Sequence, residues 1–212
     1  MNVLAANTPT ALLGASGQMF QAISGTSMSS PHVAGAYALL AQAHPSWTPA
    51  MAKSALMTSA RRDVFLADGE TPAEAFSMGA GYIQPGGNIH QRGSAFNPGR
   101  VYDAGLLDYA ADTCGAGYGD VWVSGTCEAL AGAGYATDPS DLHLPSIGVA
   151  ELVGSQTVTR RVPSVADKIR VFEAQVNAPA GFSVEVEPSK LTLAPGESGE
   201  FTVTISHTRA PL

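Results

Sequence analysis

The chain has 212 residues, enough for one large domain or two small ones, and 45% of them are hydrophobic, which excludes a disordered protein. Charged residues make up only 14%, and the net charge of -7, with 11 scattered basic residues, excludes the basic surface that nucleic-acid binding requires. The longest strongly apolar stretch, residues 33–43, is shorter than the roughly 20 residues of a membrane span.

The first part of the chain predicts a strand followed by two helices. The apolar run of residues 2–6 does not alternate, which is typical of a strand buried on both faces. A loop rich in Thr, Pro, Gly and Ser leads to Gly25, and the small apolar residues of 26–43 indicate a buried helix. Thr48 as N-cap and Pro49 as the first helical residue predict a second helix that continues over residues 50–60.

The rest of the chain predicts turns, then a connector, then strands. Residues 61–112 are rich in turn signals and indicate irregular structure that closes a first domain. Residues 113–141, rich in Gly, Ala, Ser and Asp, have the composition of a connector. After residue 142, short and mostly alternating runs separated by turns indicate a β-sandwich. Its predicted strands cover residues 158–162, 171–176, 182–186 and 201–205.

The segment 24–35, with Ser27 near its start, carries the chemistry of the chain. A serine hydroxyl is a poor nucleophile until a general base removes its proton, and the oxyanion that forms needs fixed hydrogen-bond donors. A serine at a helix N-terminus meets part of this need, because the first N–H groups are unpaired and lie at the positive end of the helix dipole. Gly25 would let a substrate backbone approach closely. From the residues alone, Ser27 is better explained as an N-capping serine in a loop rich in Ser and Thr.

Segment 24–35 closely resembles the nucleophile motif of the subtilisin-like serine peptidases. The resemblance implies that Ser27 is the nucleophile, that its own backbone N–H is one oxyanion donor, and that Gly25 and Thr26 bind substrate. Residues 43–58, 97–103 and 141–162 are similar to later parts of the plant-type branch of this family, which also occurs in bacteria. That branch ends in a fibronectin-III-like domain.

The resemblance implies a fold class and a division into domains. We expect an α/β piece over residues 1–112, the C-terminal part of a parallel-sheet catalytic domain, then the connector over 113–141. An all-β fibronectin-III-like sandwich would follow over 142–212. Both domains are expected to be incomplete, as in a C-terminal fragment, because the sheet and the sandwich each lack strands.

The catalytic machinery is expected to be incomplete as well. In this family the triad residues follow the order Asp, His, Ser, so the Asp, the His and the Asn of the oxyanion hole are expected before residue 1. His32 is not expected to be the base, because five helical positions place it roughly 140° around the helix from Ser27. We therefore predict that this chain alone is catalytically inactive and marginally stable.

The resemblance implies a serine-type endopeptidase to which this chain supplies only the serine. Its partners would be a protein or peptide substrate and the upstream catalytic segment of the same polypeptide, with no nucleic acid, no membrane span, no cofactor and no metal. The alternative is a remnant without catalysis that acts as a binding or adhesion module through its sandwich.

Cys114 and Cys127 lie in a Gly-rich segment and form no zinc-type cluster. They fit either a local disulfide in an oxidising compartment or two free thiols. Because the resemblance indicates a secreted, extracellular protein, we expect the disulfide. Any signal peptide would precede residue 1.

Overall fold

The computed structural model describes residues 2–10, 16–86 and 90–208. The chain forms two compact units, residues 1–45 and 46–212. The predicted domain boundaries at residues 112 and 141 remain predictions. Parts of the predicted loop before Gly25, of a predicted turn at residues 85–87 and of the end of the sandwich lie outside the described residues.

The first unit contains a two-stranded sheet and one helix. Strand β1 (Val3–Ala6) pairs antiparallel with β2 (Phe20–Ile23), with Val3 opposite Ile23. Helix α1 (Thr26–Ala43) follows. The predicted strand is confirmed, and the predicted helix is confirmed in position but not in burial, because only Ala36 and Leu40 of α1 are buried in this chain. Strand β2 lies inside the predicted loop.

The first strand differs from its prediction in burial and in pairing. Leu4 is 72% exposed, so β1 is not buried on both faces in this chain. All strand pairs among the described residues are antiparallel, whereas the expected sheet was parallel. A short apolar run does not show the direction of its partner strand, and this partner returns through a loop.

The helical part of the second unit lies before the β-sandwich. Its α-helices are α2 (Pro49–Thr58), α3 (Ala75–Met78), α4 (Leu106–Thr113) and α5 (Thr126–Gly132). The predicted N-cap of α2 is confirmed, because the backbone N–H of Met51 donates to the Thr48 hydroxyl at 3.1 Å. The Thr48 hydroxyl itself donates to Asp103 at 2.5 Å, which ties the start of α2 to a segment 55 residues later.

Helices α4 and α5 lie where irregular structure and a connector were predicted. Their small core consists of Ala110, Ala111 and Leu130, against which Trp122 and Tyr135 pack. Both helices are short and begin directly after a glycine, Gly105 and Gly125, and such glycines are interpreted as turn signals.

The sandwich consists of two antiparallel sheets. Their strands are β3 (Ser155–Pro163), β4 (Arg170–Glu173), β5 (Phe182–Glu187), β6 (Lys190–Leu193) and β7 (Ser198–His207). One sheet has the order β3-β7-β5 and the other pairs β4 with β6. The four predicted strands are confirmed, although β4 ends at Glu173, before the predicted residue 176. Strand β6 was not predicted.

Side chains cover the outer edge of β3. The backbone N–H of Thr159 donates to the Asp141 carboxylate at 2.6 Å, and that of Arg161 donates to Nδ1 of His143 at 3.2 Å. The guanidinium of Arg160, only 3% exposed, donates to the carbonyls of Ser140 at 2.7 Å and Leu144 at 3.0 Å. The segment before the sandwich is therefore fastened along β3 by alternating side-chain contacts.

Candidate active site

Ser27 is the second residue of α1, and its side chain is exposed. The N-cap of the helix is Gly25, and no side chain caps this end. The alternative in which Ser27 is a capping serine is therefore wrong. Within the described part of the chain, no hydrogen-bond partner holds the Ser27 hydroxyl, so it is available to a ligand or to a base.

The backbone around Ser27 has unpaired polar groups. The first helical bonds run from the N–H groups of Met28 and Ser29 to the carbonyl of Gly25, at 3.0 and 3.3 Å. The N–H of Ser27 finds no acceptor among the described residues, and the first turn carries no acidic residue. This N–H thus lies at the positive end of an 18-residue helix and can donate to an anion that forms beside it.

Pro31 removes a hydrogen bond from the same turn. In an α-helix, the N–H of residue 31 would donate to the carbonyl of Ser27, but proline has no N–H. The helix continues through Pro31 to Ala43, so the loss is tolerated near the helix start.

The face above Gly25 is open. A Cβ built on Gly25 would meet only the Met28 sulfur at 3.8 Å and the Ser27 nitrogen at 4.0 Å, which are ordinary contacts. Internal packing therefore does not require a glycine here. Thr26, the first helical residue, is also exposed. The structure brings all three predicted site residues, Gly25, Thr26 and Ser27, together at one accessible helix end.

Asn2 contacts the segment before Ser27, and sequence reasoning missed this contact. The hydroxyl of Ser24 donates to the side-chain oxygen of Asn2 at 2.7 Å. This bond ties the segment before Ser27 to the residue before β1. No signal in the sequence identifies a contact between residues 22 positions apart; it follows from the antiparallel pairing of β1 with β2.

His32 is held by its own helix. Its Nδ1 lies 2.6 Å from the carbonyl oxygen of Met28, and because a carbonyl only accepts, Nδ1 carries the proton in this contact. The first unit contains no Asp or Glu at all, so it holds no carboxylate that could orient a catalytic histidine. The first unit thus holds the predicted nucleophile and an unpaired N–H at a helix start, without a complete triad.

The two cysteines are joined. Cys114 and Cys127 form a disulfide with a Cα–Cα distance of 5.7 Å, which confirms the expected pairing. Among the described residues, no three potential metal ligands cluster. None of the helices in the described ranges has the length and apolar character that crossing a membrane would require.

Residues 4–81 match the subtilase family, and residues 141–211 match a fibronectin type-III domain. The chain therefore belongs to the subtilase family and carries a fibronectin type-III domain after the subtilase part.

Several relatives come from Arabidopsis thaliana. Subtilisin-like protease SBT2.5 is 35% identical over 208 residues, an alignment that covers 90% of this chain and 24% of that protein. Subtilisin-like protease SBT3.2 is 37% identical over 199 residues, covering 90% of this chain and 26% of the relative. Subtilisin-like protease SBT3.9 is 34% identical over 220 residues, an alignment that covers 98% of this chain and 28% of that protein. The chain thus spans about a quarter of the length of these relatives.

Proposed function

We propose that the protein to which this chain belongs is a serine endopeptidase in which Ser27 is the nucleophile. The observation that carries the proposal is the exposed, uncapped helix end at Ser27, in a segment that matches the subtilase family. The similarity to relatives named as proteases supports the reaction class.

The reaction follows from the groups at this helix end. The Ser27 hydroxyl attacks the carbonyl carbon of a peptide bond while a histidine base takes its proton. The resulting oxyanion accepts a hydrogen bond from the Ser27 N–H, and the open face at Gly25 leaves room for the substrate backbone. Return of the proton expels the amine, and water then hydrolyses the acyl-enzyme.

The histidine and the aspartate of the triad come from polypeptide outside this chain. The first unit has no acidic residue, and the imidazole of His32 is turned to the carbonyl of Met28. On this proposal the chain alone is inactive, and its partners are the remaining catalytic segment and a protein or peptide substrate.

The test is made on the complete protein with Ser27→Ala, and with Ser30→Ala on the same helix as the matched control. We expect Ser27→Ala to abolish both peptide hydrolysis and labelling by a fluorophosphonate, and Ser30→Ala to keep both. Peptide mass spectrometry should locate the label on Ser27. A label on another serine would contradict the assignment of Ser27. Ser27-dependent hydrolysis by the 212-residue chain alone would contradict the proposal that the histidine and the aspartate come from outside this chain.

The protein is proposed to act outside the cell, because a disulfide closing a local loop is typical of oxidising compartments. Culture medium of a producing cell should contain the protein with Cys114 and Cys127 resistant to alkylation until a reductant is added. Recovery only from the cytosol with two alkylatable thiols would contradict this location.

A complete protein that takes no fluorophosphonate label would favour the alternative, a module that binds through its sandwich. The sandwich carries a cavity of its own.

A further inference from the structure

The second unit contains a cavity of about 240 Å³ between the two sheets of the sandwich. Its apolar wall includes Phe172 of β4, Leu191 of β6 and Phe201 of β7. Arg100, Tyr102 and Gln175 also line it, and Arg100 and Gln175 are exposed, so they mark the side that opens to solvent. The cavity thus combines an apolar interior with polar donors at its opening.

The positive charge of Arg100 is not neutralised. Within the described ranges no carboxylate pairs with its guanidinium. The guanidinium carbon instead lies over the ring of Phe172, 5.0 Å from the ring centroid. Glu173, an acidic residue of the cavity wall, is already paired with Lys190 at 2.7 Å. The opening therefore carries a cation that is free to bind an anion.

The backbone holds Arg100 in place. It forms a bridge with Ser164, and the flanking bonds run from the Val101 N–H to the Pro163 carbonyl at 3.2 Å and from the Val165 N–H to the Gly99 carbonyl at 3.0 Å. A Cβ on Gly99 would lie 3.5 Å from the Phe172 ring, so the backbone packs directly on the aromatic wall. The cation and the wall are therefore fixed relative to each other.

Tyr102 supplies a second donor. Its backbone N–H donates to the Ser54 hydroxyl at 2.9 Å, whereas its phenolic hydroxyl meets no partner in the described part of the chain. Burial raises the pKa of the Tyr102 phenol, against the opposing effects of Arg100 and Arg160. The phenol is therefore protonated at neutral pH and can donate to an acceptor in the cavity.

We propose that this cavity binds the C-terminal residue of a peptide, with an apolar side chain against Phe172 and the terminal carboxylate on Arg100 and Tyr102. Capture of a C-terminal carboxylate is a known mode of peptide recognition, and a planar guanidinium suits a carboxylate. The volume is below the roughly 300–1,000 Å³ of pockets that enclose a drug-sized ligand, so it fits one side chain rather than a long acyl chain. This site does not depend on Ser27 or on the proposed peptidase activity.

The test titrates the 212-residue chain with N-acetyl-Ala-Phe and with the same dipeptide as its C-terminal amide. We expect the acid to bind at least about tenfold more tightly than the amide, since only the acid carries a negative charge, so that both partners of its hydrogen bond to Arg100 are ionised. Arg100→Gln should remove this preference, whereas Arg62→Gln, an exposed arginine elsewhere in the unit, should keep it. Laurate serves as the probe for a lipid ligand.

Each outcome decides the proposal. Preference for the acid that is lost in Arg100→Gln supports it. Equal binding of acid and amide, no binding of either, or tighter binding of laurate than of the dipeptide overturns it. If Arg100→Gln fails to fold, Tyr102→Phe provides the second variant and should reduce the preference for the acid; an unchanged preference would contradict the proposed carboxylate contact.

Discussion

Ser24 and Asn2 are joined by a hydrogen bond of 2.7 Å across 22 positions of sequence. Ser24 stands three residues before the proposed nucleophile, and Asn2 stands directly before β1. The contact fixes the chain that enters helix α1, so it determines where Ser27 is presented.

Removal of this contact should slow the complete enzyme. We expect Asn2→Ala to lower kcat by about two- to fivefold, the effect of losing an exposed hydrogen bond of roughly 0.5–1 kcal/mol. KM and the amount of folded protein should change little. Asn7→Ala is the matched control, because the bond of Asn7 to the Met19 carbonyl uses the backbone N–H and survives the substitution. Equal kcat in the two variants would show that Asn2 does not position the site.

Arg160 should be a major determinant of the stability of the second unit. In Arg160→Met the carbonyls of Ser140 and Leu144 lose their buried donor. We therefore expect the free energy of unfolding to fall by about 2–4 kcal/mol. Both tryptophans, Trp47 and Trp122, belong to this unit, so urea unfolding followed by tryptophan fluorescence reports it. Arg62→Met at an exposed position should cost less than about 0.5 kcal/mol. Equal unfolding midpoints would contradict the role of Arg160.

The stability of the second unit should fall in mild acid because of His143. Burial lowers the pKa of His143, Arg161 and Arg160 lower it further, and Asp108 and Glu200 oppose them. At high pH the imidazole is neutral in the folded and in the unfolded state, so the stability does not change with pH through this group. As the pH falls through the ordinary value of 6.5, the unfolded chain takes up a proton that the folded chain resists, so stability decreases until the folded pKa is passed.

The bond from the Arg161 N–H to Nδ1 of His143 requires an unprotonated Nδ1. Protonation of His143 breaks this bond, so it too lowers the stability of the folded unit in acid. His143→Asn places an amide oxygen near the Nδ1 position and cannot titrate. We expect its urea midpoint to vary less than that of the wild type between pH 7.5 and pH 5. A wild-type midpoint that rises as the pH falls over this window would contradict the role of His143.

Two glycines near the disulfide should respond oppositely to alanine. A Cβ on Gly115 would overlap the carbonyl oxygen of Thr137, so Gly115→Ala requires the backbone to move. We expect a loss of at least about 1–3 kcal/mol, the usual cost of overpacking. Gly132, the last residue of α5, has open space around it, and Gly132→Ala should be neutral or stabilise by up to about 0.5 kcal/mol. The same urea assay measures both variants, and a stable Gly115→Ala variant would contradict the packing at Thr137.

The features that the sequence predicted are those with local signals. Helix α1 and the position of Ser27 follow from a contiguous motif, and the start of α2 follows from Thr48 and Pro49, which are adjacent. Helices α4 and α5 were missed because they are short and start after Gly105 and Gly125, in segments whose glycines indicated turns and a connector.

Contacts between distant residues could not be predicted in this way. The Asn2–Ser24 bond depends on the pairing of β1 with β2, and the carbonyl partners of Arg160 depend on the path of the segment before β3. The arginine itself occupies a position in β3 where its charge would have favoured an exposed side chain.

The side-chain contacts along the outer edge of strand β3 limit which substitutions this protein can tolerate. A neighbouring strand would pair with β3 through its own backbone, and almost any sequence could provide that backbone. Here the acceptors are the side chains of Asp141 and His143, two positions apart. Substitution of either exposes a strand edge to other chains, so two residues outside the unit that carries the proposed catalytic serine help to keep the protein from self-association.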